Sequence, residues 1–166
     1  MEWLFIDATY IKVHQHSSSG EMKEQAIDKS VAGNTSKIHL AVDAHGNPIS
    51  FIISDGATCD VKVAPNLIDS IDLKEVVMLG ADKGYDSQTL RDKVEESQTL
   101  ANIPRKRNTK LSNEHMDWHL YKSRHLVENA FCCIKHYRGI ATRYEKLKRN
   151  YENLVALAFA YHWLKL

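Results

Sequence analysis

Residues 118–135 read WHLYKSRHLVENAFCCIK, and this stretch decides what kind of fold the rest of the chain must build. Stepping about 100° per residue, Leu120, Leu126, Val127, Ala130, Phe131 and Ile134 fill one arc of a helix. Tyr121, Arg124, Glu128 and Lys135 fall within about 60° on a polar stripe beside it. A helix apolar along one side buries that side on another layer, so the stripe rides at the edge of the core, where packing can fix a side chain. Taken alone, Arg124 and Glu128 read as an ordinary i,i+4 pair on a solvated face. Only acids elsewhere in the chain give Glu128 a further meaning.

Working outward, two continuous apolar runs supply the layer the helix needs. Residues 3–9, WLFIDAT, read as a strand buried on both faces with Asp7 near its carboxyl end. Residues 76–81, VVMLGA, read as a second such strand, which ends on Asp82 and passes through KGYD into a helix over 87–96. A carboxylate inside or just beyond a buried strand is costly unless paired or bound to metal. Open α/β sheets carry their chemistry at the carboxyl ends of strands, so if the two strands are neighbours their acids meet.

The remaining elements follow from shorter patterns. Residues 37–43, KIHLAVD, predict a half-buried strand with Ile38, Leu40 and Val42 inward and Lys37, His39 and Asp43 outward; AHGNP then turns the chain into an antiparallel partner over 49–54. A helix is expected to begin near Pro65, with Asp60 as a cap or turn residue. Residues 100–104 predict a fifth, short strand, followed by a basic loop over 104–110. The helical period of residues 150–166 predicts a helix that covers the sheet. Residues 12–36 are polar and read as a mobile loop, with His14 and His16 as loop histidines rather than metal ligands.

The chain has 166 residues, enough for one domain with a real core, and its net charge is only +1. The charge is unevenly placed: residues 101–150 hold 12 Lys and Arg against 4 Asp and Glu. A basic half facing an acidic half suits a polyanion held beside carboxylates, although a well-solvated helical surface has the same composition. Cys59, Cys132 and Cys133 lack metal-site spacing and read as reduced thiols of a cytosolic protein; zinc is not expected. No signal peptide and no membrane-spanning run are read.

Three carboxylates, Asp7, Asp82 and Glu128, thus fall on a strand, a neighbouring strand end and a packed helix. Hard oxygen ligands of this kind suit Mg²⁺ or Mn²⁺, and a pair of such ions is one way to cleave phosphodiesters. The pattern Tyr121-x2-Arg124-x3-Glu128-x6-Lys135 resembles the YREK signature of DDE transposases from bacterial insertion sequences, in particular the insertion-sequence-five family. The resemblance extends to IDATY at 6–10, GNTSKIHLAVDAHG at 33–46, ADKGYDS at 81–87, NIPRK at 102–106 and HLVENAF at 125–131. It implies an α/β ribonuclease-H-like fold whose mixed five-stranded sheet, flanked by helices, has the order 3-2-1-4-5. It also implies Asp7, Asp82 and Glu128 as a catalytic, metal-binding triad with two Mg²⁺ ions, for which Mn²⁺ substitutes.

The same resemblance implies that Arg124 and Lys135 contact the backbone of double-stranded DNA with Tyr121 beside them, in strand cleavage and strand transfer at element ends and into target DNA. Arg105 and Lys106, in the basic loop, are expected to join them. Two departures stand out: Ala32-Gly33 where a Gly-Gly pair is expected, and Cys59 where a histidine is common. The chain opens two residues before its first strand, so the single catalytic domain over 1–166 is expected to lack an upstream DNA-binding module and to rely on a separately encoded one. A homo-oligomer is left open, and the setting expected is the cytoplasm, at the nucleoid, with no membrane. The alternatives are an inactive or truncated remnant that binds DNA, and a stand-alone ribonuclease-H-like nuclease, against which the YREK stripe argues.

Overall fold

The apolar run at the start of the chain becomes the centre of the molecule. In a computed structural model that describes residues 2–17, 22–31 and 33–164, strand β1 (Trp3–Val13) lies between strands on both edges. Its first edge is antiparallel to β3 (Gly33–Asp43), from Leu4 opposite Asp43 to Lys12 opposite Thr35. Its second edge is shared: β5 (Met78–Gly80) runs parallel to Trp3–Phe5, and β7 (Thr142–Arg143) runs parallel to Lys12–Val13. Beyond them, β4 (Pro48–Asp55) pairs with β3 as an antiparallel hairpin, and β6 (Leu100–Asn102) pairs with β5 in parallel.

The path β4-β3-β1-β5-β6 is the expected order 3-2-1-4-5. Two short strands were not expected: β7, and β2 (Asp28–Ser30), which pairs with the start of β3. The sheet is mixed and covered on both faces. On one face, Phe5, Ile11, Ile38, Leu40 and Val42 pack against α4 (His125–Lys135), α5 (Arg138–Ala141) and α6 (Lys148–Leu164). On the other, Leu4, Ile6, Leu79 and Ala101 pack against α1 (Asp60–Asp69) and α2 (Gln88–Glu96). Successive residues of a strand point to opposite faces. The odd positions of β1, Asp7 among them, therefore face α4.

Four expectations are corrected here. Residues 12–36 are not one long loop: β1 continues to Val13, and the chain returns through a 3-10 turn (Gln15–Ser17), β2 and the start of β3. His39 and Lys37 do not face solvent. Helix α1 covers that side of β3, leaving His39 0% and Lys37 4% exposed. Polar groups so deep need partners, and Lys37 Nζ donates to Asp60 Oδ1 at 2.9 Å and to the Thr58 carbonyl at 2.7 Å, while His39 Nε2 lies 2.7 Å from Ser54 Oγ.

Helix α1 begins at Asp60 rather than near Pro65, so Asp60 is its first residue, after the cap position at Cys59, and Pro65 stands inside it. The helix expected over 118–135 is built of three consecutive pieces, α3 (Trp118–Tyr121), a 3-10 turn (Lys122–Arg124) and α4. Asp117 starts it, its carboxylate accepting from the amides of His119 and Leu120, both at 2.9 Å. Val127, Ala130, Phe131 and Ile134 are buried as the apolar arc requires. At about 2 kcal/mol for each of the three larger side chains, that burial is ample to hold the polar stripe over β1.

Candidate active site

Asp7 occupies the stretch of β1 between its two partners on the shared edge, after β5 has ended and before β7 begins. With no strand of the described residues there, its own carboxylate takes the next backbone amide: Ala8 N–H donates to Asp7 Oδ1 at 2.8 Å. Across the face, Arg124 Nη2 donates to Asp7 Oδ2 at 2.7 Å and to Glu128 Oε1 at 3.4 Å. One guanidinium therefore holds two acids that lie 121 positions apart in the chain. The ring of Tyr121 supports it, 5.7 Å from the guanidinium carbon, and Trp118 packs edge-on against Tyr121.

Burial pushes the Asp7 carboxyl above its ordinary range, and the bonds from Arg124 and Ala8 oppose this without cancelling it. The nearby charge of Asp82 adds to the rise. For Arg124, burial acts downward, but the bond and charge of Asp7 together with Tyr121 outweigh it and the guanidinium is held charged.

Asp82 enters through register. Phe5 pairs with Gly80, so Asp7 and Asp82 each stand two residues beyond a paired position, on adjacent parallel strands. A 3-10 turn (Lys83–Tyr85) follows, and Asp82 caps it: its Oδ1 accepts from the Gly84 amide at 2.7 Å. Gly84 is required for this geometry, because a Cβ there would come 2.8 Å from Asp82 Oδ1. Tyr85 plugs the turn into the core at 1% exposure, with its hydroxyl raised well above the usual range by burial and then by Asp60, Asp7 and Asp82.

Among the described residues, no three His, Cys, Asp or Glu side chains lie close enough to hold a metal ion. Asp7 and Glu128 are instead turned onto Arg124. Their donor type is that of ligands to a hard divalent cation, and the position between Asp7 and Glu128 is taken by the Arg124 guanidinium.

The other residues singled out from sequence fall into two sets. Lys135 reaches β1 as well, donating to Thr9 Oγ1 at 2.5 Å and to the Tyr10 carbonyl at 3.2 Å, and burial lowers its pKa. Both cations of the stripe thus fasten α4 to β1. Arg105 is drawn the other way, onto Gln88 at 3.2 Å and toward Asp86 at 3.8 Å, whereas the Lys106 side chain is exposed. His14 packs its ring against those of His16 and Tyr144. Cys59, Cys132 and Cys133 are free and exposed.

Sequence reading missed the residue that places the basic loop. Asp86 accepts from Arg91 Nη2 at 3.0 Å and from the Lys106 amide at 2.8 Å, and these bonds hold its carboxyl below the usual range although burial alone raises it. The signal in the sequence was its place in ADKGYDS at 81–87, four residues after Asp82, which marks the segment but gives Asp86 no role of its own.

A mixed sheet in this order, helices on both faces, one acid within the central strand and another just past the end of its parallel neighbour match a ribonuclease-H-like fold. Residues 1–163 match the family model described as "Transposase DDE domain", and the chain belongs to that family of transposase catalytic domains. It is also 35% identical over 131 residues, 79% of this chain and 99% of the relative, to a Brucella ovis protein named "Putative transposase for insertion sequence element IS6501". Among the described residues, no helix is long and apolar enough to cross a membrane.

Proposed function

We propose that this domain cuts DNA strands at the ends of an insertion sequence and joins the freed 3′-hydroxyl to target DNA, with Asp7, Asp82 and Glu128 holding divalent metal, Mg²⁺ or in its place Mn²⁺. The observation that carries the reading is the single cation position shared by Asp7 and Glu128, with the charge of Asp82 felt beside it. Two ions bound by such acids would activate water and stabilise the leaving oxygen. The chain's own groups bind and orient: Arg124, released from the acids, is a fork donor to phosphate, and Lys135 at the far end of the stripe is a point charge for the same backbone.

Backbone contacts carry no base sequence. Recognition of the element ends is therefore assigned to a separately encoded module, and the protein works in the bacterial cytoplasm at the nucleoid. Membership of the insertion-sequence-five group rests on the YREK spacing and its companion motifs.

The test is strand cleavage of a duplex carrying the element end, in Mg²⁺ and in EDTA, by the wild-type chain and by Asp7→Asn, Asp82→Asn and Glu128→Gln. Each substitution should abolish cleavage while DNA affinity stays within a few-fold. Cleavage that persists in EDTA, or in any of the three variants, would reject the assignment.

A further inference from the structure

Beside Asp82 lies an open cleft of about 420 Å³, lined by Asp82, Lys83 and Gly84 of the turn and by Lys106, Arg107 and Asn108 of the basic loop. We propose that this cleft seats the phosphodiester backbone of the DNA strand next to the phosphate that is cut, with Lys83 and Arg107 as its principal phosphate ligands. The proposal rests on the DNA-cutting reading above and assigns residues to the substrate path of that site.

Both walls are held in place. Tyr85 anchors one wall in the core, and the Asp82 cap fixes the turn, so Lys83 and Gly84 are left exposed. The other wall is the basic loop, which is clamped at three points. Lys106 N–H donates to Asp86 at 2.8 Å, Arg105 N–H donates to Asn113 Oδ1 at 2.8 Å, and Arg91, 2% exposed, bonds Asp86 and the Ile103 carbonyl. A loop so tied presents its next residues to the cleft without the ordering cost that weakens binding by free loops.

Charge separates the ligands from the struts. Asp86 neutralises Arg91 and draws on Arg105, so neither is left for a polyanion. Lys83, Lys106 and Arg107 make no ion pair among the described residues, and they surround the cleft against one carboxylate, Asp82. Three uncompensated cations in a volume within the usual range of small-ligand sites suit a phosphodiester unit rather than a neutral ligand. Arg105, selected from sequence as a DNA contact, is by this geometry a strut, and Arg107 takes that place.

The experiment measures binding of a duplex, and of the same duplex with one neutral methylphosphonate moved phosphate by phosphate around the cut, over a series of salt concentrations. The proteins are wild type, Lys83→Gln/Arg107→Gln and, as a control on the opposite end of the sheet, Lys74→Gln. Removing two phosphate contacts should lower the log-salt slope by about 2, with Lys74→Gln unchanged. At one position beside the cut, the methylphosphonate should weaken wild type but not the double variant. All three proteins should melt alike, since the substituted side chains are exposed. An unchanged slope, or a methylphosphonate profile identical in wild type and double variant, overturns the cleft as a phosphate site while leaving DNA cutting intact. A wild-type chain that binds no DNA at any salt overturns both.

Discussion

Replacing Arg124 by Ala tests the claim that a guanidinium occupies a cation's position between the acids. The lost bond to Asp7 is 2.7 Å long and lies between side chains each 18% exposed, so it is a partly desolvated, charge-assisted bond. Such bonds are worth about 2 kcal/mol, and the orphaned carboxylate adds no new partner. For a chain of this size the expected fall in Tm in EDTA is about 4–8 °C. The same energy reappears with opposite sign in metal binding. An ion entering wild type must displace the guanidinium; in the variant it need not, so Mn²⁺ should bind about thirtyfold tighter. The assay is thermal unfolding of both proteins across a Mn²⁺ titration without DNA. The two Tm curves should converge as metal rises, because the ion restores in the variant what the arginine supplied. Parallel curves would show that Arg124 and metal do not compete for one position, and weaker Mn²⁺ binding by the variant would show that the arginine assists the ion instead.

Three further outcomes are expected. His39 is held neutral, its pKa lowered to about 4 mainly by burial, with Lys37 acting the same way and Asp60 and Asp55 opposing. A depressed pKa contributes stability that is present above about 6.5 and lost as pH falls toward 4, so urea unfolding should show about 2 kcal/mol lost to this residue between pH 7 and 5; His39→Gln should lack that share of the slope, and an unaltered slope would show the imidazole is not buried neutral. Gly84→Ala drives a methyl against Asp82 Oδ1 and should lower single-turnover cleavage at least tenfold while changing stability by about 1 kcal/mol; normal turnover would show the cap is not needed. Arg143 is wholly buried and donates to the carbonyls of Gln25, Glu145 and Lys146 and to Ser36 Oγ, so Arg143→Met should cost about 4 kcal/mol by chemical denaturation; a loss under 1 kcal/mol would mean those acceptors find other donors.

What the sequence could show was set by how each residue is buried. Strands β1 and β5 were legible because both faces are apolar, and continuous runs survive any register. The stripe of α4 was legible because its period is local. His39 and Lys37 were misplaced because alternation was taken to mean one wet face, whereas their face is covered by α1 and their polarity is met by Asp60, Thr58 and Ser54. The bonds from Arg124 to Asp7 and from Lys135 to Thr9 could not be read at all, since they join residues 117 and 126 positions apart. Motif spacing selected the residues of the stripe, but their inward engagement with β1 is tertiary. The same holds for the basic loop, where composition marked Arg105 and Lys106, and only the anchor at Asp86 shows which cations are left free of carboxylates.

The divided edge of β1 sets an order of assembly. Its amino-terminal part is completed by residues 78–80, but its carboxyl-terminal part waits for residues 142–143, and the helix that pairs with Asp7 arrives shortly before. Contacts of such long range close late, because the chain entropy of a large loop is lost before any bond repays it. On a ribosome, Asp7 is made well before residues 124–143, which complete its surroundings. A chain stopped before residue 124 therefore carries Asp7 and Asp82 without the arginine and helix that gather them. A gene copy broken ahead of the codon for residue 124 makes a chain in which the proposed site is never assembled.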